Sequence, residues 1–304
     1  MSILLTGGTG FIGSALSGLI DERCRYVVRK KDKGKFKNEF VIENIDGKTN
    51  WDGAFQGCSS VIHLAGLAHS KTYTAKDFAN VNVNGTHHLA LQAANAGVKR
   101  FVFVSSIGVN GSSTLDKPFT SSSVPNPHNS YAKSKLEAEL SLFEISAETG
   151  LEVVIVRPTL VYGLSAPGNF ALLKKLVEKL PFLPFGLVDN KRDFISVMNL
   201  ASFLVTCESH PNAAGHTFLV SDGKAVSIKQ FTNAIANGVG KGLVQLPIPV
   251  SFMQFTARLL GKSAIAEQLL GSLEVDSSNA QEVLDWIPPY TMEQTMASLS
   301  ENKK

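Results

Sequence analysis

The chain has 304 residues, 44% of them hydrophobic and 18% charged, enough to bury a full core in one large domain or two closely joined ones. Its net charge of +3 comes without a dense basic stripe, which argues against a nucleic-acid partner, and no apolar run reaches the roughly 20 residues of a membrane span. Three scattered cysteines, Cys24, Cys58 and Cys207, offer neither a disulfide framework nor metal-ligand spacing, and no signal-like segment opens the chain, so a cytoplasmic protein without a metal is expected.

Residues 4–13 predict a strand, a tight glycine turn and a helix start, with the amphipathic segment Ser14 to Ile20 behind them. Gly8, Gly10 and Gly13 fit a dinucleotide fingerprint, in which one glycine permits the turn, one lets backbone approach a pyrophosphate and one allows close helix packing. The free N–H groups of such a helix start favour an anion. Gly7, Gly10, Phe11, Ile12 and Gly13 are therefore the first candidate cofactor contacts.

A second strand over 25–28 ends in the basic run Arg29-Lys30-Lys31-Asp32-Lys33. A cation at this strand end pairs with the 2′-phosphate of NADP, whereas an acid accepts from the ribose hydroxyls of NAD. Arg29 is the first candidate for the phosphate and Lys30 the second; a solvated basic turn is the competing reading, and Asp32 leaves NAD open. A third strand over 39–44 leads to Ile45 and Asp46, where the carboxylate either accepts from the adenine amino group or serves an ordinary turn.

Residues 60–66 read as a buried parallel strand ending in Leu64, Ala65 and Gly66, small enough for a ligand to lie against the backbone. His63 within it reads as a satisfied core histidine, while His69 is better placed to meet substrate. A helix is expected from Val81 through Leu89 to Ala96, closed by Gly97, and another strand over 100–104 ends at Ser105-Ser106. This alternation over residues 2–157 predicts an α/β fold with a doubly wound parallel sheet, whose ligands bind at the carboxyl ends of the strands.

Those strand ends collect chemistry. Tyr131 and Lys135 stand four apart at the start of a helix running to about Thr149, so they share one face. A free phenol, with a pKa of about 10, is a poor base, and a neighbouring ammonium is expected to lower it. A Ser106 hydroxyl would hold the oxygen that gains or loses the proton.

In this order the motifs resemble the extended short-chain dehydrogenase/reductase family, in particular its nucleotide-sugar epimerases, dehydratases and 4-ketoreductases. The resemblance rests on residues 6–13, 63–66 and 82–86, on Ser106 with Val109-Asn110-Gly111, on Tyr131 with Lys135, and on residues 156–163. It implies a Rossmann domain over 1–165 and a smaller substrate-binding region over 166–304, interleaved with the first. It further implies that Ser106, Tyr131 and Lys135 are catalytic, that Asn82, Tyr131, Lys135 and Pro158 touch the coenzyme, and that the protein forms a homodimer.

Beyond Gly163 the alternation lapses. Asn169 resembles the asparagine that binds the diphosphate of a UDP-sugar, with a plain helix N-cap as the alternative. Arg192 resembles the arginine that reaches the same nucleotide, with an Asp193 salt bridge as the alternative. Relatives often carry another nucleotide-binding arginine near the C-terminal segment, but residues 265–275 hold none, leaving Arg258 or Lys262 to stand in. Residues 246–260, broken by Pro247, Pro249 and Arg258, predict a turn and a core-facing helix. The expected activity is NADP-preferring reduction at C4 of a UDP-4-keto-6-deoxy-N-acetylhexosamine. A UDP-hexose 4-epimerase, with NAD, is the alternative, and a non-catalytic dinucleotide sensor is the rival from another class.

Overall fold

The computed structural model describes residues 2–68 and 72–303. His69 lies outside them. The first half alternates as expected: β1 (Ser2–Thr6), α1 (Phe11–Ile20), β2 (Cys24–Arg29), β3 (Glu39–Ile42), β4 (Cys58–His63), α2 (Ala75–Phe78), a π-helical stretch (Ala79–Asn84), α3 (Gly85–Asn95), β5 (Arg100–Val104), α4 (Ser130–Thr149) and β6 (Glu152–Pro158). The second half holds β7 (Leu160–Tyr162), α5 (Gly168–Lys179), β8 (Phe182–Leu183), β9 (Phe194–Ser196), α6 (Val197–Ser209), β10 (Thr217–Val220), α7 (Ile228–Gly238) and β11 (Val244–Gln245). It closes with α8 (Val250–Leu259), α9 (Ser263–Leu270), α10 (Ser278–Leu284) and α11 (Met292–Ala297).

Seven parallel strands form the central sheet in the order β10-β6-β5-β4-β1-β2-β3. Every residue of β5 is buried, because helices cover both faces and leave no side of the strand for water. Leu16 and Ile20 of α1 pack with Leu200, Phe203 and Leu204 of α6 on one face. Leu89 and Ala93 of α3 pack with Ala138, Leu142 and Ile145 of α4 on the other. A third core gathers α5, α7 and β9 around Phe170, Phe194 and Phe231. The chain recrosses position 165/166, since β10 and α6 from the second half complete the first half's sheet and helix layer.

Several boundaries differ from the sequence reading. The helix expected from Val81 begins at Ala75, where Thr74 and Asp77 form a reciprocal capping box, so Asn82 sits inside a helix instead of at its start. β3 stops at Ile42, two residues short. The expected core-facing helix at 246–260 is corrected most. No residue of α8 is buried, and Phe252, Phe255 and Leu259 are 58%, 59% and 72% exposed. Only Val250 and Met253 lean on the third core, because a helix apolar on more than one side has a single side to give to its own domain.

Candidate active site

The glycine turn works through different residues than the simple fingerprint suggests. Gly7 takes the positive φ of 76°, and Gly10 N–H donates to its carbonyl at 2.9 Å. Gly8 instead lies under Tyr26, where a Cβ would stand 2.7 Å from the ring. A Cβ on Gly13 would overlap the Gly7 carbonyl oxygen, so the spacing in use is Gly7, Gly10, Gly13. The first turn of α1 carries no acid and leaves its N–H groups without intrahelical acceptors. It opens into a cavity of about 270 Å³ lined by Gly7, Gly10, Phe11, Ile12, Gly13, Leu64, Val161 and Pro167. A dinucleotide diphosphate fits this cradle, which combines close backbone with uncompensated positive helix charge. Val161 lies in the 156–163 segment of the resemblance, whereas Pro167 was not among the candidates and is brought in by the return of the chain after β6.

The end of β4 is tied to the turn. Thr6 Oγ1 contacts His63 Nδ1 at 2.6 Å and accepts from Ala65 N–H at 3.2 Å, while His63 Nε2 meets Thr86 Oγ1 at 3.0 Å. Burial, with the nearby Lys135 charge, pushes His63 down to about 3, so it is a neutral core histidine as read. Asn82 accepts from Leu67 N–H at 2.8 Å and donates to Leu67 O and Ser134 Oγ. Its amide therefore fixes the 64–67 loop against α4. A Cβ on Gly66 would come within 3.7 Å of Lys135 Nζ, so the strand end and the catalytic helix meet there.

Asn129 caps α4 by accepting from Ala132 N–H, and the helix presents Tyr131 and Lys135 beside the end of β5. Gly108 N–H donates to Ser106 Oγ at 3.1 Å, leaving the Ser106 hydroxyl proton for Tyr131. Ser105 Oγ is buried and has no hydrogen-bond partner among the described residues. Lys135 Nζ donates to Val104 O at 2.8 Å and stands 4.4 Å over the Phe103 ring. The expected lowering of Tyr131 by Lys135 is corrected: desolvation pushes the phenol up to about 12, against the pull of Ser106, although the residue as a whole is only half-buried. Lys135 itself is pushed down to about 8 by burial, opposed by Glu139.

The remaining candidates take the following places. Pro158 ends β6. Arg29 ends β2, exposed and 3.8 Å from Asp32, and Lys30 pairs with Glu43 at 2.5 Å. Asp46 makes a turn, accepting from Lys48 N–H at 2.8 Å, while Ile45 packs on Gly85. Asn169 is exposed in the first turn of α5, and Pro167, not Asn169, is that helix's N-cap. Arg192 has no Asp193 bridge among the described residues: it donates to Gly271 O at 2.6 Å, while Asp193 accepts from Val275 N–H. Burial lowers Arg192 to about 10 and raises Asp193 to about 6. Arg258 and Lys262 are both exposed.

A pyrophosphate cradle, a tyrosine and a buried lysine at the carboxyl ends of a doubly wound sheet define a dinucleotide-dependent enzyme. Residues 3–221 match the NAD dependent epimerase/dehydratase family, and the chain belongs to it. It is 40% identical over 306 residues to a UDP-glucose 4-epimerase of Vibrio cholerae, covering 96% of this chain and 92% of that protein. Among solved structures, the fold is similar to an NAD-bound short-chain dehydrogenase/reductase superfamily protein of Agrobacterium tumefaciens (TM-score 0.78, 20% identity, 99% and 96% coverage). It is equally similar to a UDP-glucose 4-epimerase of Thermotoga maritima holding UDP-glucose (TM-score 0.76, 22% identity, 99% and 98% coverage). No described helix is long and apolar enough to cross a membrane.

Proposed function

We propose that the protein is a 4-epimerase of a UDP-hexose that retains NAD. The observation that carries this reading is the placement of Tyr131 and Lys135 one turn apart on α4 at the carboxyl end of β5, with Ser106 following that strand and the glycine cradle following β1 in the same sheet. The 40% identity to a UDP-glucose 4-epimerase supports the choice of reaction. Bound NAD would supply reversible hydride acceptance from the sugar C4. As hydride leaves C4, Tyr131 as phenolate would take the C4 hydroxyl proton, and it would return that proton when the hydride comes back to the other face of the keto sugar; Ser106 orients the oxygen, and the Lys135 ammonium on the same helix favours the phenolate. Gly7, Gly10, Phe11, Ile12, Gly13, Ala65 and Pro158 are assigned to the coenzyme. Residues 166–304 would supply the sugar nucleotide site, with Asn169 exposed at a helix start and Arg192 as the cation for the diphosphate. Exposed Leu140 and Phe143 of α4 support a homodimer across α3 and α4.

Purified protein given UDP-glucose and no added coenzyme should form UDP-galactose with no net change in nicotinamide absorbance. Failure to do so, together with stoichiometric NADPH consumption on a UDP-4-keto-6-deoxy-N-acetylhexosamine, would overturn the epimerase in favour of the reductase. One observation favours that second reading: Arg29 ends β2 with an exposed guanidinium. The coenzyme choice has its own test in Arg29→Ala. If Arg29 grips a 2′-phosphate, NADP affinity drops roughly tenfold or more while NAD affinity stays level, as fluorescence titration reads it. Equal small changes in both make Arg29 part of a solvated turn and leave NAD as the coenzyme.

A further inference from the structure

The described surface exposes 21 large apolar side chains, and 12 of them fall in two stretches, 168–187 and 241–270, that together make up a small fraction of the chain. The two stretches are joined through the β8–β11 ribbon, where Phe182 pairs with Val244, both more than half exposed. From β11 the chain passes directly into α8 and α9. On α8, Phe252, Phe255 and Leu259 follow helical spacing along the side turned away from Val250 and Met253, and Leu260 and Ile265 extend the row through the turn to α9. An apolar row of this density on a surface helix marks an interaction site.

Charge selects the occupant. The two stretches carry six cations, Lys174, Lys175, Lys179, Lys241, Arg258 and Lys262, against only Glu178 and Glu267. Arg258 and Lys262 flank the exposed row of α8, and neither has an acidic partner among the described residues. A second copy meeting this patch would bring its own surplus of Lys and Arg to the interface, with only Glu178 and Glu267 in each copy's two stretches to answer it. A bilayer with anionic headgroups takes both features at once, apolar rings below and cations at the phosphate level. At ten residues, α8 is far too short to span and suited to lie in the interface.

We propose that α8 and the start of α9 form a membrane-surface anchor that seats the protein on an anionic phospholipid bilayer. Phe252, Phe255, Leu259 and Leu260 enter the acyl boundary, while Arg258 and Lys262 engage lipid phosphates. This contact is independent of the catalytic reading and holds whichever sugar the site turns over.

Flotation of the full chain with vesicles answers the question. The wild-type protein should float with phosphatidylglycerol/phosphatidylcholine vesicles, float far less with phosphatidylcholine alone, and come off as salt rises. The exposed double variant Phe252→Ser with Phe255→Ser should lose roughly tenfold or more of that binding while keeping its melting temperature and its elution volume. Arg258→Glu with Lys262→Glu should lose a similar share, and only on the anionic vesicles. The proposal is overturned if the wild type stays with the soluble fraction, or if the phenylalanine variant floats as before. It is equally overturned if that variant changes from dimer to monomer, which would make a second copy the occupant.

Discussion

Replacing Tyr131 by phenylalanine should lower kcat roughly a hundredfold to ten-thousandfold, the usual contribution of a positioned general acid or base. The substitution removes only the hydroxyl. The ring, edge-on to Phe78 at 6.2 Å, keeps its packing, and Ser106 keeps its bond from Gly108 N–H. Coenzyme carried through purification, measured after denaturing the protein, should therefore match the wild type, so the loss appears in turnover and not in folding. A variant that still turns over within about threefold of wild type would remove Tyr131 from the proton transfer. The pH profile adds a sign. The Lys135 ammonium, lowered to about 8 by burial, is present below that pH and lost above it. If its charge holds the tyrosine oxygen in the transition state, kcat/KM of the wild type falls as pH rises through about 8.

What the sequence made legible was whatever depends on neighbours along the chain. β5 follows from a short apolar run, and α4, expected to about Thr149, ends there. The parallel sheet followed from the alternation of such segments. The misreadings have non-local causes. The choice of Gly7 over Gly8 depends on the ring of Tyr26 from the next strand. The high pKa of Tyr131 depends on desolvation to which Phe78, from a separate helix, contributes packing, while the spacing of Tyr131 and Lys135 was read as if the two met only each other. α8 was assigned to the core on hydrophobicity alone, yet hydrophobicity carries no record of how many faces the rest of the domain can cover. A buried partner of Arg157 was also legible in principle, because an arginine inside a strand as apolar as β6 demands a carboxylate. Nothing in the spacing named Glu139 as that carboxylate.

Breaking that pair should be strongly destabilising. Arg157 is 5% exposed and Glu139 fully buried, and the guanidinium holds the carboxylate with Nε at 3.0 Å and Nη2 at 2.5 Å while Nη1 donates to Asn110 Oδ1. Removing either partner leaves a charge without water or counter-ion, a cost of roughly 3–5 kcal/mol. Arg157→Met should accordingly lower the apparent melting temperature by on the order of 10 °C. The double variant Glu139→Leu with Arg157→Met should recover most of the loss, because a well-packed apolar pair avoids the desolvation that the ion pair must offset. Losses that simply add would mean that the two side chains act separately. The same pair bears on the site through position: Glu139 lies one turn beyond Lys135 on α4, and Arg157 directly precedes Pro158 on β6. Since Glu139 raises the Lys135 pKa, Glu139→Gln should move the alkaline fall of kcat/KM to lower pH. A purely structural pair would reduce the amount of folded enzyme and leave that limb where it was.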